Sequence, residues 1–164
     1  MEAIITEDEL TNLIQENRKE MYYFAMSMLN NPTEAQDTVG QAVLKAFERR
    51  YQLRKRESAK AWIMQIVANE AKKILRHRKR TVPLEEEMLE KAGERKDSYD
   101  DIWNYILALP LPFRSVIVLY YFEQFSVEEI GKILGISTGT VKSRLSRSRE
   151  KLAYMMQEEG YFYE

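Results

Sequence analysis

Apolar side chains recur every three or four residues along both halves of this chain, and the interruptions fall at capping and turn residues, so the pattern predicts helices and no strands. Leu10, Leu13, Ile14, Asn17, Met21, Phe24, Ala25 and Met28 keep one helical face until Asn30-Asn31-Pro32. There Asn31 is placed to cap a second helix, Pro32 suits its first turn and Glu34 occupies the capping-box position. That helix runs through Ala35, Val39, Ala42, Val43, Ala46 and Phe47 to about Tyr51. A charged connector, Leu53-Arg54-Lys55-Arg56-Glu57-Ser58, leads to a third helix from about Ala59 to Arg80, with Trp62, Ile63, Ile66, Val67, Ile74 and Leu75 mostly inward.

The sharpest local pattern lies at residues 125–147. Ser126 can cap a helix while Glu129 reaches back to it, and Ile130, Ile133 and Leu134 make one apolar stripe. Gly135 follows the last of these, where a left-handed backbone stops a helix, and Ser137 or Thr138 can cap the next. In that next helix Val141, Leu145, Ser148 and Leu152 share a sector that predicts inward packing. Gly139, Thr140, Lys142, Ser143, Arg144, Ser146, Arg147 and Arg149 occupy the polar side and its flanks. Small residues near the helix start allow close approach to base edges and long cations hold phosphates, the layout of a helix-turn-helix. The spacing of Gly131 and Gly135, in so short and charged a segment, reads as local packing and not as a membrane contact.

Formal net charge is only -1, but the charges are segregated. Between Lys45 and Arg80 thirteen cations face three acids, which favours a polyanionic partner. From Thr81 to Asp101 eight acids face three cations without a sustained apolar period; Pro83 disfavours helix continuation and Gly93 adds looseness, so this stretch reads as a linker. A short helix from Glu85 to Lys91 would be marginal in isolation.

The 164 residues, 45% hydrophobic, suffice for two small cores. Absence of cysteine removes disulfides, thiolate metal sites and thiol nucleophiles. No leader-like segment and no bilayer-length apolar run is visible, so no membrane insertion and a cytoplasmic location are expected. Convergent carboxylates, a phosphate loop and paired histidines are missing from the pattern, and the single His77 sits among cations. No catalytic residue, metal or cofactor is therefore expected, which weighs against a nucleic-acid hydrolase. A dimeric repressor or response-regulator output domain would share the helix-turn-helix, but the cationic N-terminal half argues against it.

Leu109-Pro110, Phe113-Arg114-Ser115-Val116-Ile117-Val118-Leu119-Tyr120-Tyr121-Phe122, Ser126-Val127-Glu128-Glu129-Ile130, Leu134-Gly135-Ile136-Ser137 and Gly139-Thr140-Val141-Lys142-Ser143-Arg144-Leu145 resemble region four of the extracytoplasmic-function sigma factors, the small two-domain members of the sigma-70 family. Ala35, Asp37, Val39, Leu44, Lys45, Ala46 and Phe47, then Ala61-Trp62-Ile63, Ile66-Val67-Ala68-Asn69, Ala71 and Leu75-Arg76 resemble region two. The resemblance implies an all-α chain of two small helical domains: region two over 1–80, an acidic linker over 81–98, region four over 99–157 and a tail over 158–164.

It further implies a non-enzymatic factor, monomeric in the holoenzyme, that binds RNA polymerase core and directs promoter-specific initiation. Region four would grip duplex minus-thirty-five DNA through Ser137, Thr138, Thr140, Lys142, Ser143, Arg144 and Arg147, and touch the polymerase flap. Region two would hold melted minus-ten DNA through Arg54, Lys55, Arg56, Asn69, Lys72, Lys73 and Arg76. Asp37, Gln41 and Lys45 would dock on the clamp helices of the largest subunit, and an anti-sigma factor is the expected regulator.

The chain also departs from the family pattern. Gln36, Gly40 and Gln41 replace an acid, an amide and another acid, and Val43 replaces an aromatic. A helix-interior glycine costs about 1 kcal/mol relative to alanine, so Gly40 signals either close approach of a partner or a locally weak helix. Pro112-Phe113 replaces a charged pair and predicts an altered turn. Trp62 and Trp103 lie at helical spacing with aliphatics and read as core, whereas Tyr51 borders the cationic connector and is the better base-stacking candidate.

Overall fold

A computed structural model of the chain describes residues 3–81 and 101–158. The first half comprises α1 (Glu7–Leu29), α2 (Pro32–Glu48) and α3 (Ala59–Thr81), with short 3-10 turns at Arg50–Gln52 and Arg56–Ser58. The second comprises α4 (Asp101–Ala108), α5 (Leu111–Ile117), a π-helical turn Val118–Phe122, α6 (Val127–Leu134) and α7 (Thr138–Glu158). The expected linker beyond Thr81, with its short helix, and the tail beyond Glu158 lie outside the described residues.

Local chemistry sets the helix ends. Thr6 caps α1 in a reciprocal box, its hydroxyl accepting from the Glu9 N–H at 3.1 Å while its own N–H donates to the Glu9 carboxylate at 2.9 Å. Asn30 closes the helix in the left-handed conformation (φ 48°), and Asn31 caps α2 by accepting from the Glu34 N–H at 2.9 Å. Only half of the box expected at Glu34 forms, because its carboxylate pairs instead with Arg78 of α3. Pro112 falls in the first turn of α5, where a missing N–H leaves no bond unmade, so the altered turn expected there does not occur at that residue. The irregularity comes one turn later, where the backbone widens into the π-helical turn and Gln124 takes a left-handed φ of 61°.

In the first half α1, α2 and α3 pack pairwise around Leu10, Ile14, Met21, Phe24, Val39, Ile63 and Val67. The second half packs α5, α6 and α7 around Val116, Ile117, Ile130, Ile133, Val141 and Leu145. The two cores are continuous: α1 lies against α5 and the π-helical turn, and α3 lies against α6.

Polar contacts cross this junction as well. Arg114 of α5 is fully buried and donates through Nε to the Ser27 carbonyl at 2.7 Å and through a terminal nitrogen to the Met28 carbonyl at 3.3 Å. It reaches the Leu109 carbonyl of its own half at 3.3 Å. Those α1 carbonyls belong to the last turn, which has no intrahelical partner and carries the negative end of the helix dipole. Glu123, 5% exposed, sits between Lys60 of α3 at 3.7 Å and Glu20 of α1. Glu123 and Glu20 each keep one buried carboxylate oxygen without a hydrogen-bond partner.

Two outcomes follow. Replacing Arg114 with Met strands the buried carbonyls of Ser27, Met28 and Leu109, and is expected to cost about 3 kcal/mol in urea unfolding. A loss within a few tenths of a kcal/mol would contradict this account. Burial, reinforced by Glu20 and only partly opposed by Lys60, pushes the Glu123 carboxyl up to about 7 from 4.5. The folded chain therefore holds a proton there that the unfolded chain has already lost, and stability falls as pH rises from 4.5 to about 7, then levels. Unfolding midpoints across this window should fall in the parent and flatten in Glu123→Gln.

Candidate nucleic-acid interface

The helix-turn-helix is built as its sequence requires. Ser126 and Glu129 form the reciprocal box at 3.1 Å in each direction. Gly135 ends α6 at φ 71°, and the Ile136 N–H donates to the Gly131 carbonyl at 2.9 Å. A Cβ on Gly131 would stand 2.8 Å from the Ile136 carbonyl oxygen, so glycine is needed for the turn to fold back this tightly. Of the two candidate caps for α7, Ser137 is the one used: its hydroxyl accepts from the Thr140 N–H at 3.1 Å and pairs with the Thr140 hydroxyl at 2.8 Å. Val141, Leu145 and Ser148 face inward, and the single Ser148 hydroxyl proton lies between the Arg144 carbonyl of its own helix at 2.5 Å and the Phe113 carbonyl of α5 at 3.2 Å.

This packing leaves Thr138, Lys142, Ser143, Ser146 and Arg147 exposed, with Thr140 and Arg144 half-buried. Arg149 behaves differently from its neighbours. It donates to the Tyr121 hydroxyl at 2.5 Å and stacks over the Tyr120 and Tyr121 rings, so it braces the π-helical turn.

On the first half, Asn69, Lys73 and Arg76 recur at helical spacing on one exposed face of α3. Lys72 is turned into the second half, where its amino group donates to the Leu134 carbonyl at 2.8 Å; burial, helped by nearby Arg76, lowers its pKa. In the connector Arg54 and Lys55 are exposed, and Tyr51 is 63% exposed. Arg56 is held at 2.9 Å by Glu9, whose carboxyl stays below its usual range through the Thr6 N–H first and Arg56 second. Arg50 donates to the Ile5 carbonyl at 2.8 Å, anchoring the connector to the start of α1. Trp62 is partly buried against the core, and Trp103 is wedged edge-on between Tyr23 at 5.3 Å and Phe122 at 6.0 Å.

On α2, Asp37 and Gln41 are exposed, Lys45 is half-buried and Leu44 is 58% exposed. No atom lies within 4 Å of where a Gly40 Cβ would stand, so internal packing does not require glycine there. Sequence reasoning missed two features of the second half. One is the buried Arg114, signalled only by a lone charge inside an apolar run. The other is an apolar groove of about 390 Å³ lined by Ile102, Ile117, Tyr121, Phe122, Leu152 and Met156. Tyr121 and Phe122 are each about half exposed, which the helical period alone does not anticipate.

Comparison with known proteins agrees with this architecture. Residues 13–81 match the model for sigma-70 region 2 and residues 99–152 the model for sigma-70 region 4. The RNA polymerase sigma factor SigV of Bacillus subtilis is 28% identical over 153 residues, 92% of each chain. The RNA polymerase sigma-E factor of Streptomyces coelicolor is 31% identical over 132 residues, covering 78% of this chain and 75% of its own. Among solved structures, RpoE of Bartonella quintana, crystallised with the anti-sigma factor NepR, superposes with a TM-score of 0.69 at 25% identity over 90% of this chain and 98% of that one. Among the described residues no helix is long and apolar enough to cross a membrane. The chain belongs to the sigma-70 family of RNA polymerase sigma factors, which are transcription initiation factors, and is an alternative, extracytoplasmic-function member that directs promoter-specific transcription.

Proposed function

We propose that α7 enters the major groove of the minus-thirty-five element, with Thr138, Lys142, Ser143, Arg144 and Arg147 toward DNA and Ser137 and Thr140 holding the helix start. The observation that carries this reading is the row of hydroxyls and cations left open on α7 once Val141, Leu145 and Ser148 are packed away. Cations on such a face neutralise phosphates while side chains near the helix start reach base edges. Asn69, Lys73 and Arg76 of α3, with Arg54, Lys55 and Arg56, form the minus-ten surface, joined by Lys72 when it is free. Stacking returns about 1 to 3 kcal/mol per base against an unstacking cost of a few kcal/mol, so one or two captured bases tip a near-balanced melting step. Tyr51, exposed beside the cationic connector, supplies the stacking ring in this reading.

The exposed row Asp37, Gly40, Gln41 and Leu44, with Lys45, is the docking face for the polymerase clamp helices. The apolar groove beneath Tyr121 and Phe122 accepts the flap, and an anti-sigma factor, the kind of partner with which the Bartonella protein was crystallised, competes for these faces. The chain acts in the cytoplasm, as one copy per holoenzyme, and its role is binding: no catalytic step is assigned to its residues.

Arg144→Ala and Arg147→Ala are each expected to weaken binding of the minus-thirty-five duplex about tenfold while pull-down of core polymerase is unchanged. Equal loss in both assays would overturn the assignment. Gly40→Ala should stabilise the fold by about 1 kcal/mol, since the added methyl meets no atom of the chain. If the clamp approaches closely at Gly40, the same variant binds core polymerase more weakly despite its higher melting temperature; undiminished core affinity would place the contact elsewhere.

A further inference from the structure

The last turns of α7 carry apolar side chains that the packing of the described residues leaves half open. Leu152 and Met156 line the groove of about 390 Å³, α4 contributes Ile102, and the π-helical turn contributes Tyr121 and Phe122, each about half exposed. Arg149 is the one cation among the lining residues. A concave apolar surface of this kind, with a charge at its edge, marks an interaction site, whereas singly scattered apolar residues do not.

What the sequence places next to this groove is itself apolar. Beyond Glu158, the last residue of α7, it continues as Glu159-Gly160-Tyr161-Phe162-Tyr163-Glu164, three consecutive rings between acids. Counted from Glu158, Gly160 stands where helices commonly reverse through a left-handed glycine, and Tyr161 stands at the following position, whose apolar side chain packs on the residue two before the helix end. Here that residue is Met156, in the wall of the groove. Reach fits as well. Leu152 lies six residues before Glu158, about 9 Å back along the axis, whereas Phe162, four residues beyond Glu158, extends as far as about 14 Å. Glu164, farther on, complements the charge of Arg149 at the far edge.

We propose that in the free chain this groove holds the chain's own residues 160–164: Gly160 turns the backbone, Tyr161 lies on Met156, Phe162 enters the groove and Glu164 faces Arg149. A short aromatic segment is a weak ligand as a separate peptide, but a short link presents it to its site at an effective concentration in the millimolar range. A second copy of the chain offers the same rings to the same groove, yet at micromolar protein the linked segment outcompetes it. The groove is also the surface assigned above to the flap. Tail and flap then exclude one another, a competition that rests on that assignment, whereas the docking of the tail does not.

The chain contains no cysteine, so placed thiols report the contact without background. Ala153 is exposed in the groove wall. Lys151, also exposed, is two residues away and so nearly opposite on α7, with its amino group 5.6 Å from the Phe113 ring centre. Each is changed to cysteine together with Tyr163→Cys in the full chain. Under mild oxidation the Ala153→Cys pair should close an internal disulfide about tenfold faster than the Lys151→Cys pair, and adding Phe162→Ser should erase the difference. Equal rates at the two positions, or a difference that survives Phe162→Ser, overturn the docking. A disulfide-linked dimer in place of the internal link assigns the groove to a second copy and overturns it too. In the chain without cysteines, Phe162→Ser should bind core polymerase about fivefold more tightly, because the flap no longer has to displace the tail. A fast internal disulfide with unchanged core affinity upholds the tail in the groove and traces the failure to the assignment of the flap.

Discussion

The C-terminal end of α1 is the point from which both halves of the molecule hang. Its last turn contains no basic residue of its own, and the carbonyls of Ser27, Met28 and Leu29 point where no further helix can meet them. Two arginines from distant parts of the chain satisfy them. Arg78 donates to Leu29 at 2.9 Å and holds Glu34 near the start of α2, closing the three-helix half; Arg114 donates to Ser27 and Met28 and brings in the second half. A guanidinium suits this work because it offers five donors in a rigid plane and keeps its charge when buried. One helix end thus converts an unsatisfied dipole into the tertiary order of the chain.

What was legible in the sequence was whatever is fixed by neighbours in sequence. The Ser126 and Glu129 box, the Gly135 stop, the Asn31 cap and the inward rows of α1 and α7 follow from spacing, because their partners lie within one turn. The roles of Arg78, Arg114 and Lys72 were not legible, since their acceptors lie 49, 87 and 62 residues away and are backbone carbonyls that carry no residue signature. Glu34 shows how the two levels compete. Its position predicts a cap, but the carboxylate pairs with the partly buried Arg78 in place of the neighbouring N–H, since a full opposite charge attracts it more strongly than a backbone dipole.

The same distinction sorts the cations. Counting charge between Lys45 and Arg80 identifies a polyanion-binding half, yet that count mixes two populations. Arg50, Arg78 and Lys72 hold backbone carbonyls, Lys60 lies beside Glu123 and Arg56 is tied to Glu9. Arg54, Lys55 and Arg76 remain on open surface. Binding to a phosphate backbone therefore draws on fewer charges than composition suggests, and each internally engaged cation must first be released from a partner.

Lys72 shows how such release can be favourable. A helix C-terminus presents roughly half a negative charge, spread over several carbonyls, whereas a phosphate presents a full one. The Leu134 carbonyl thus offers Lys72 a weaker version of the ligand that the α3 face is assigned to hold, in a site where burial already disfavours the charged amine. At the same junction burial, only partly offset by Lys60 at 3.7 Å, raises the Glu123 carboxyl to about 7, so this contact too holds a charged group against the cost of losing water.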